Sequence, residues 1–574
     1  MRRESTARAS HLLAWAGLLA VCAALFALSF QRWGHPVIDL GRDLWVPSQL
    51  LEGRVLYRDV VYNYGPVAPY LLAGIVALLG DSLVVFAGVG IASGLLCMGA
   101  VYAIGCELAD WRAGFVSGLL FCAFSFFAHS TWGCNFVLPY AYAATFSMTF
   151  ALASFALLLR HLQGRSGAAL VGSLVLALLA VATKVEVGVA IVGVIVVAGW
   201  VHRLSLRILA GAGAAAALAG VAGFAAFSAR APGDYSLWGD NFGRFAGSGL
   251  ADPFFLAVAG LDRPGAALIT QVVLLMALAG AVFGANAAAR LASASERGDA
   301  ATLVVGLVGA VALLVLVPLA GDARILGASV LVGPVLIAWL LLRDRRDPLL
   351  LLALLVLLCA PRVLLQAHPV WYGFTLSIPA IPLAVVGLGA RLSPRMQAPR
   401  ATAAVLVAVA LFAAGRHVAT SMAHWRAQSA LFDTGGGTMH DLPIGRAEAI
   451  GAFLDHAKSR RGTVDSLLVL PEGVSLNHWS GLGSPSGRYL FTPPEVPGPE
   501  VEADILGELR AEPPDWIVMN SRDLREFGVR RFGADYAPRV GTWIRKHYVR
   551  ERVFGPHEWK LELWTQREPL PRSR

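Results

Sequence analysis

Apolar runs of about 17 to 25 residues recur along this 574-residue chain, and a helix of that length crosses the hydrocarbon core of a membrane. The bilayer offers no hydrogen-bonding partners, so the backbone of a crossing segment must satisfy its own polar groups. Hydrophobic residues make up 56% of the sequence and charged residues 15%, which excludes a single soluble core. The sequence therefore predicts an all-α polytopic membrane protein.

The arginines lie in short loops between the apolar runs, which indicates a topology signal and argues against a nucleic-acid surface despite a net charge of +9. Cytoplasmic loops of membrane proteins are enriched in Lys and Arg. With the basic N-terminus placed in the cytoplasm, alternation of the runs predicts roughly 12 to 13 spans and leaves the C-terminus outside. The run at 70–80 is short for a span and is expected to form a juxtamembrane or partly inserted helix.

The segment 31–69 is the first polar interruption of the apolar pattern, and it follows the first run directly. A charged loop at this position costs little only in water or at the membrane interface. Loops held on a rigid scaffold are also where catalytic groups concentrate. We take five of its residues as candidates for a functional site: Asp39, Asp43, Arg58, Asp59 and Tyr64.

The predicted topology brings further polar residues to the same outer face. They are Lys184 and Glu186 at a helix end, and Arg362, His368 and Tyr372 in a late loop. Ionisable groups at membrane depth are expensive to bury and are functional candidates by default. A carboxylate that faces cations suits one reaction in particular, because it can deprotonate a hydroxyl while the cations neutralise a departing phosphate.

The composition changes near residue 416, where helix-strand alternation replaces the long apolar runs. Strand-like runs alternate with helical periodicity at 446–458, 466–470, 501–509 and 516–519. We therefore predict two domains, a multi-spanning membrane domain at 1–415, with the loop 31–69, and a small α/β domain at 416–574 outside the membrane.

All six cysteines lie in or beside apolar runs, and the C-terminal segment contains none. No set of His, Cys or carboxylate residues has the spacing of a metal site, and the C-terminal segment has no glycine-rich phosphate loop. We therefore expect neither a disulfide framework nor a cofactor, with a divalent metal left as an alternative.

Several motifs follow one another in the order found in a known family. Asp39 soon after the first span is followed by NYGPVAPYL at 63–71, TKVEVG at 183–188, PRVLLQAHPVWYGFTLSIPA at 361–380 and PEGVSLNHWSG at 471–481. This order resembles the polyprenyl-phosphate-dependent glycosyltransferases of the GT-C fold. Within that class the chain is similar to family 39, the group of protein O-mannosyltransferases and of the aminoarabinose transferase that acts on lipid A.

The resemblance implies transfer of a sugar from a polyprenyl-phosphate donor to a hydroxyl of a lipid, glycan or protein. It places the reaction at the periplasmic face of a bacterial inner membrane, with the C-terminal domain in the periplasm. Asp39 matches the general base of the family, and Asp43 is the adjacent alternative. Leu40 stands where many members have Glu.

The tripeptide Tyr-Gly-Pro at 64–66 stands where the aminoarabinose branch has Lys-Pro-Pro, so a phosphate-binding lysine of that branch is missing. Arg58, Lys184 and Arg362 are the cations left to bind the donor phosphate. The remaining candidates are expected to contact substrate: Asp59, Tyr64, Glu186, His368 and Tyr372.

Each candidate also has a structural explanation. Asp39 is a favourable N-cap for the helix that follows it. Asp59 beside Arg58 forms a local surface pair, and Lys184 with Glu186 forms a pair at a helix end. An arginine or histidine near a span end can simply reach the headgroups.

A transporter or flippase of a lipid-linked saccharide is the rival from another class of protein. Transporters bury polar sites near the membrane midplane and show repeats between their two halves. This chain has no internal repeat, and its charges gather at one predicted face. The pattern therefore favours the enzyme.

Overall fold

The structure is a computed structural model that describes most of the chain. The described residues are 2–127, 133–164, 166–229, 253–293, 344–366, 371–392, 399–556 and 558–571, together with 337, 339 and 341. Within these ranges the N-terminal part is helical, and the C-terminal part combines helices with two sheets.

The described helices of the membrane domain differ widely in length. They are α1 (Arg2–Ser29), α2 (Leu40–Leu51), α3 (Val67–Leu79), α4 (Leu83–Leu108), α5 (Trp111–Phe121, continued by a π-helical turn Cys122–Phe126), α6 (Tyr142–Leu162), α7 (Gly167–Thr183), α8 (Val185–His202), α9 (Leu206–Ser228), α10 (Pro253–Ala259), α11 (Pro264–Ser293), α12 (Leu349–Cys359), α13 (Gly373–Leu376), α14 (Ala380–Ala384, continued by a π-helical segment Val385–Leu392) and α15 (Pro399–Ala427).

Among the described residues, six of these helices are long and apolar enough to cross a membrane, namely α1, α4, α6, α8, α9 and α15. Shorter apolar helices lie between them along the chain. The prediction of an all-α polytopic membrane domain is confirmed. The expected total of 12 to 13 spans stays a prediction, because residues 294–336 lie outside the described part of the chain.

The predicted loops fall at two opposite faces of the helix bundle. At one face, Arg160 in the last turn of α6 pairs with Glu107 at the end of α4, with 3.3 Å between Nε and Oε1. Arg391 and Asp347 form a further pair at 3.5 Å between two loops that the arginine pattern placed on the same side. The loop 31–69 and the C-terminal domain lie at the other face, which we call the site face.

Hydroxyl groups join the central helices where water is absent. Ser147 of α6 donates to the carbonyl oxygen of Ala180 in α7 at 2.9 Å, and Ser154 donates to that of Ser173 at 2.7 Å. Lipid tails are as apolar as leucine, so helices in a membrane associate through close packing and such bonds. These contacts hold α6 and α7 in register and bring the end of α7 to the site face.

Helices α7 and α8 are separated by one extended residue, Lys184, with φ −151° and ψ 110°. The two helices approach closely there, because a Cβ at Gly188 would collide with the backbone of Val181. The N–H of Gly65, in the first loop, donates to the carbonyl oxygen of Thr183 at 3.0 Å. The break therefore holds the first loop against the end of α7.

Both ends of helix α3 are bonded at the site face. Its start follows Gly65, which is bonded to the end of α7. Just beyond its end, the carbonyl oxygen of Asp81 lies 3.3 Å from Nε2 of His478 in the C-terminal domain. Both ends of this 13-residue helix thus contact the same face, and its placement relative to the membrane stays a prediction.

The C-terminal domain contains a four-stranded mixed sheet and a two-stranded hairpin. Its described elements are β1 (Ala430–Asp433), β2 (Thr438–Asp441), α16 (Arg446–Ser459), β3 (Leu467–Leu470), α17 (Ser475–Ser480), α18 (Pro499–Ala511), β4 (Trp516–Asn520), α19 (Pro538–His547), β5 (Tyr548–Phe554) and β6 (Leu561–Gln566). The strand order is β3-β4-β6-β5, in which β3 and β4 are parallel and the other neighbours are antiparallel. The small α/β domain is confirmed.

The last helix of the membrane domain extends beyond the predicted boundary at 415. Helix α15 continues to Ala427, and the first strand begins at Ala430. Trp425 is buried in these last turns, and Arg32 donates to its carbonyl oxygen at 2.9 Å. Packing of this kind holds the helix past the point where its apolar run ends, and the division into domains at 415 stays a prediction.

The C-terminal domain is bonded directly to the first loop. Ser475 at the start of α17 donates to the carbonyl oxygen of Pro36 at 2.5 Å. Helix α17 crosses α2 so closely that a Cβ at Gly41 would collide with the backbone nitrogen of Ser475 and reach 3.0 Å from Cγ1 of Val474. Gly41 therefore sets the distance between the two domains.

We predict that Gly41→Ala separates the two domains and lowers the melting temperature. Overpacking of a close backbone contact costs about 1–3 kcal/mol. Gly74→Ala in α3 is the matched control, because no atom lies within 4 Å of its Cβ position. Thermal unfolding of the purified protein in nanodiscs measures the difference. Equal melting temperatures for the two variants would contradict this packing.

Candidate functional site

A cavity of about 1390 Å³ opens between the membrane domain and the C-terminal domain. We call it the interdomain cavity. Its walls come from the first loop, the break between α7 and α8, the loop after α12 and the C-terminal domain. Six of the predicted site residues line it: Asp39, Tyr64, Lys184, Glu186, Arg362 and Tyr372.

Four of the predicted site residues are not part of this lining. Asp43 is buried beneath it, where its carboxylate accepts the backbone N–H of Tyr142 at 2.9 Å. Arg58 and Asp59 pair with each other at 2.5 Å outside the cavity. His368 lies outside the described residues. The placement therefore does not support Asp43 as a base or Arg58 as a phosphate ligand.

Asp39 is the central residue of a tight γ-turn at the N-terminus of α2. Its backbone has φ 63° and ψ −51°, and the N–H of Leu40 donates to the carbonyl oxygen of Ile38 at 2.7 Å. A γ-turn with positive φ is rare and strained. The Asp39 side chain makes no hydrogen bond to the helix N-terminus, so the capping explanation is wrong. Its carboxylate is 31% exposed and lines the cavity.

Arg42, in the first turn of α2, lies beside Asp39 at this end of the cavity. Its side chain is 3% exposed and lies 3.5 Å from Oδ1 of Asp39 and 3.3 Å from Oδ1 of Asp43. It also donates to the carbonyl oxygen of Tyr140, and its guanidinium stands 5.1 Å from the ring centre of Tyr64. These contacts fix Arg42 rigidly beside the Asp39 carboxylate.

The pKa of Asp39 is raised above the usual aspartate range. Burial is the main cause, because removal from water disfavours the charged carboxylate. The positive charges of Arg42 and Arg522 act in the opposite direction and lower this pKa. The carboxylate therefore gains basicity relative to an aspartate in water.

Across the cavity, Lys184 and Arg362 form what we call the cation pair. Nζ of Lys184 lies 2.8 Å from Oε1 of Glu186, and Nη1 of Arg362 lies 3.0 Å from Oε2 of the same carboxylate. Lys184 is 4% exposed and also donates to Oη of Tyr140 at 3.0 Å. Two cations thus share one carboxylate, which leaves this end of the cavity with a net positive charge.

Aromatic rings surround the cation pair. The guanidinium of Arg362 is 3.8 Å from the ring centre of Tyr372, and Nζ of Lys184 is 5.3 to 5.6 Å from the ring centres of Tyr64, Tyr140 and Tyr372. Cations at this distance are attracted to the faces of the rings. The contacts hold Arg362 in the cavity and are incompatible with a side chain that extends to the headgroups.

One side of the cavity is apolar and is formed by α7 and α9. We call it the apolar wall. Its members include Leu178, Val181, Ala219, Gly223, Phe224 and Phe227. Alanine and glycine on α9 leave a groove between the two helices, and most of the outward-facing side chains of α9 are exposed.

The C-terminal domain contributes two charged residues that sequence reasoning missed. Glu472 follows β3 by two residues, and Arg522 follows β4 by two residues. The carboxyl ends of neighbouring parallel strands meet at one edge of a sheet, where ligands bind in open α/β sheets. A charged residue just after each predicted strand was therefore a usable signal, once the two strands were known to be parallel.

Glu472 and Arg522 form a buried pair on the side of the cavity that the C-terminal domain supplies. Oε1 of Glu472 accepts the backbone N–H of Asp39 at 2.9 Å, and its carboxylate also pairs with Arg522. Arg522 reaches Glu526 at 2.7 Å as well, and all three side chains line the cavity. Carboxylates thus outnumber cations near Asp39, in contrast to the end that holds the cation pair.

Sequence reasoning also did not select Arg42 or Tyr140 as site residues, for different reasons. Arg42 is one of several arginines in the segment 31–69, and nothing in the sequence distinguishes it from Arg54 or Arg58. Tyr140 resembles the many tyrosines near span ends, which are mostly interfacial anchors. Among the described residues, no group of three or more His, Cys, Asp or Glu side chains is arranged to hold a metal.

We predict that Glu186→Gln weakens the fold and creates a stronger anion site. The cation pair loses its shared carboxylate, at a cost below the roughly 3–5 kcal/mol of a fully buried pair, because Glu186 is 34% exposed. Inorganic phosphate should then raise the melting temperature of the variant more than that of wild type. Glu107→Gln, which breaks the pair with Arg160 at the opposite face, is the control. An equal phosphate effect on both variants would contradict the assignment.

Comparison with known proteins yields structural neighbours only. No family model matches the chain, and no curated protein sequence matches it. The crystal structure of ArnT from Cupriavidus metallidurans bound to undecaprenyl phosphate aligns over 96% of this chain and 97% of that chain, with 14% identity and a TM-score of 0.52. The oligosaccharyltransferase of Archaeoglobus fulgidus, in complex with Zn and sulfate, aligns over 88% of this chain and 67% of that chain, with 12% identity and a TM-score of 0.49. The alignment with ArnT shows that the chain has the GT-C fold, as the sequence motifs implied.

Proposed function

We propose that this protein is an integral membrane glycosyltransferase. It transfers a sugar from a polyprenyl-phosphate donor to a hydroxyl of a lipid, glycan or protein acceptor. One observation carries the proposal: a single cavity holds the carboxylate of Asp39, the cation pair Lys184 and Arg362, and the apolar wall. These are the three surfaces that a lipid-phosphate sugar and its acceptor require.

The donor phosphate fits the end of the cavity that holds the cation pair. Within the described part of the chain, Lys184 and Arg362 pair with a single carboxylate, that of Glu186, so a phosphate there completes the local charge balance. A bidentate arginine and a lysine are suited to phosphate oxygens. The prenyl chain can then leave along the apolar wall, where contact with hydrocarbon is favourable.

The proposed reaction uses Asp39 at one end of the cavity and the cation pair at the other. Asp39 removes the proton of the acceptor hydroxyl, and that oxygen forms a bond to the anomeric carbon of the sugar. The bond between this carbon and the phosphate oxygen breaks, and polyprenyl phosphate departs with one more negative charge. Lys184 and Arg362 neutralise that charge, so no separate acid is needed.

The fold supports a lipid-phosphate donor. ArnT, which has the same fold, was crystallised with undecaprenyl phosphate. By extension we propose a polyprenyl-phosphate donor for this chain. Arg160 and Arg391, at the described edges of two arginine-rich loops, lie at the face opposite the site. The positive-inside rule therefore supports a periplasmic site in a bacterial inner membrane, with the N-terminus in the cytoplasm.

The direct test is sugar transfer by the purified protein in lipid, with a panel of undecaprenyl-phosphate sugars. We expect wild type to consume at least one donor and Asp39→Asn to lose about 10²–10⁴-fold in kcat, because an amide cannot accept the proton. Asp59→Asn, in the same loop but outside the cavity, should retain turnover. Lipid-linked sugar that crosses vesicles without being consumed would replace the enzyme with the rival flippase.

The pH profile provides a second test. The base works only when ionised, and burial raises the pKa of Asp39. We therefore expect kcat/KM to fall on the acidic side at a pH above the ordinary aspartate value of about 3.9. Activity should be full above this raised pKa and lost as the pH falls through it. An acidic limb at or below the ordinary value would contradict the assignment of Asp39.

A further inference from the structure

The backbone of the candidate base is strained, and its own helix does not explain the strain. Asp39 has φ 63° and ψ −51° at the centre of its γ-turn. Backbone in such a region is unfavourable and persists only where the surroundings hold it. The side chain of Asp39 makes no capping hydrogen bond. Its carbonyl oxygen accepts the N–H of Arg42 at 3.1 Å, but an N-cap residue makes such a bond with ordinary extended backbone, so the helix does not require the positive φ.

The bond that holds the turn comes from the other domain. Oε1 of Glu472 accepts the N–H of Asp39 at 2.9 Å, across 433 residues of sequence. The Glu472 side chain is 4% exposed, and the amide of Asn520 donates to its backbone carbonyl oxygen. The acceptor is thus fixed at the ends of β3 and β4, and a rigid sheet edge sets the position of Asp39.

Arg522 completes this link and acts on the charge of the base. It pairs with Glu472 and lies 2.7 Å from Glu526, with 9% of its side chain exposed. Its guanidinium stands 5.6 Å from the ring centre of Phe527. The positive charge opposes the effect of burial on the Asp39 carboxylate.

We infer that the C-terminal domain activates the base of the membrane domain: Glu472 holds Asp39 in the strained turn that aims its carboxylate into the cavity, and Arg522 stabilises the ionised carboxylate. This inference rests on the proposed function. Both are positioning residues, because they act through Asp39 and not on the reacting atoms. Undocking of the C-terminal domain would release the turn and switch the base off.

Other charged and titratable groups also face Asp39, and the test must separate their effects from those of the C-terminal pair. They are Arg42 and Asp43 from α2, Tyr140 and Tyr372 from the membrane domain, and Glu472, Arg522 and Glu526 from the C-terminal domain. Only the last three change position if the domain moves. Variants at Glu472 and Arg522 therefore report on docking, while Arg42 stays in place.

The first experiment compares Glu472→Ala with Glu472→Gln in the full-length protein in nanodiscs. Alanine removes the acceptor for the Asp39 N–H, and we expect kcat to fall about 10- to 100-fold with the donor KM unchanged, as for a misplaced catalytic group. Glutamine keeps an oxygen acceptor and should restore part of the loss. Glu562→Ala on β6, which breaks pairs with Arg550 and Lys560 in the same domain, is the control and should keep wild-type kcat.

The second experiment measures the pH profile of Arg522→Met and Arg522→Lys. In Arg522→Met, loss of the positive charge should move the acidic limb of the kcat/KM profile to a pH about one unit higher. Arg522→Lys keeps the charge and should return the limb to its wild-type pH. A purely structural role would lower the melting temperature and the active fraction but leave the limb where it is. The profile thus separates positioning from folding.

The outcomes distinguish this inference from the proposed function. If wild type turns over and Asp39→Asn does not, while Glu472→Ala and Arg522→Met keep the wild-type kcat and pH profile, the inference is wrong and the glycosyltransferase stands. If wild type transfers no sugar at all, both fail. A reduced kcat in Glu472→Ala, together with an acidic limb of kcat/KM at higher pH in Arg522→Met, would establish the inference.

Discussion

Glu472 accepts the backbone N–H of Asp39 at 2.9 Å and pairs at the same time with Arg522, so one buried carboxylate connects the two domains. A buried carboxylate without partners would be strongly destabilising, which means that this pairing and the docking of the domains depend on each other. The close approach of Gly41 to Ser475 permits it sterically. The cavity exists only because these contacts place the sheet edge over the first loop.

The distribution of charge within the cavity follows from the same need to pair buried ions. Carboxylates exceed cations near Asp39, whereas Lys184 and Arg362 share a single carboxylate at the other end. Low dielectric strengthens each of these interactions. In the proposed reaction, this imbalance would place the donor phosphate at the cation pair and the acceptor hydroxyl beside Asp39.

The membrane limits how such a site can be built. Irregular backbone at membrane depth is tolerated only where protein or a water-filled cavity surrounds it. The extended residue Lys184 between α7 and α8 meets this condition, because Gly65 bonds to Thr183 and Tyr140 bonds to the lysine. Loops at the site face are therefore ordered by contacts with one another, and the helices below supply a rigid base.

Local chemistry was enough to predict the membrane helices, the two faces, the α/β domain and six cavity residues, because apolar length, arginine placement and exposed charge are properties of short segments. The partners of those residues were beyond such reasoning. Arg362 finds Glu186 across 176 residues, and Asp39 finds Glu472 across 433. Asp43 and Asp39 look alike in the sequence, yet packing buries one and exposes the other to the cavity. The sequence by itself determined a polytopic membrane protein with a charged first loop and a C-terminal α/β domain. Only the tertiary structure decided which charges meet, because pairing over such distances depends on how the whole chain packs.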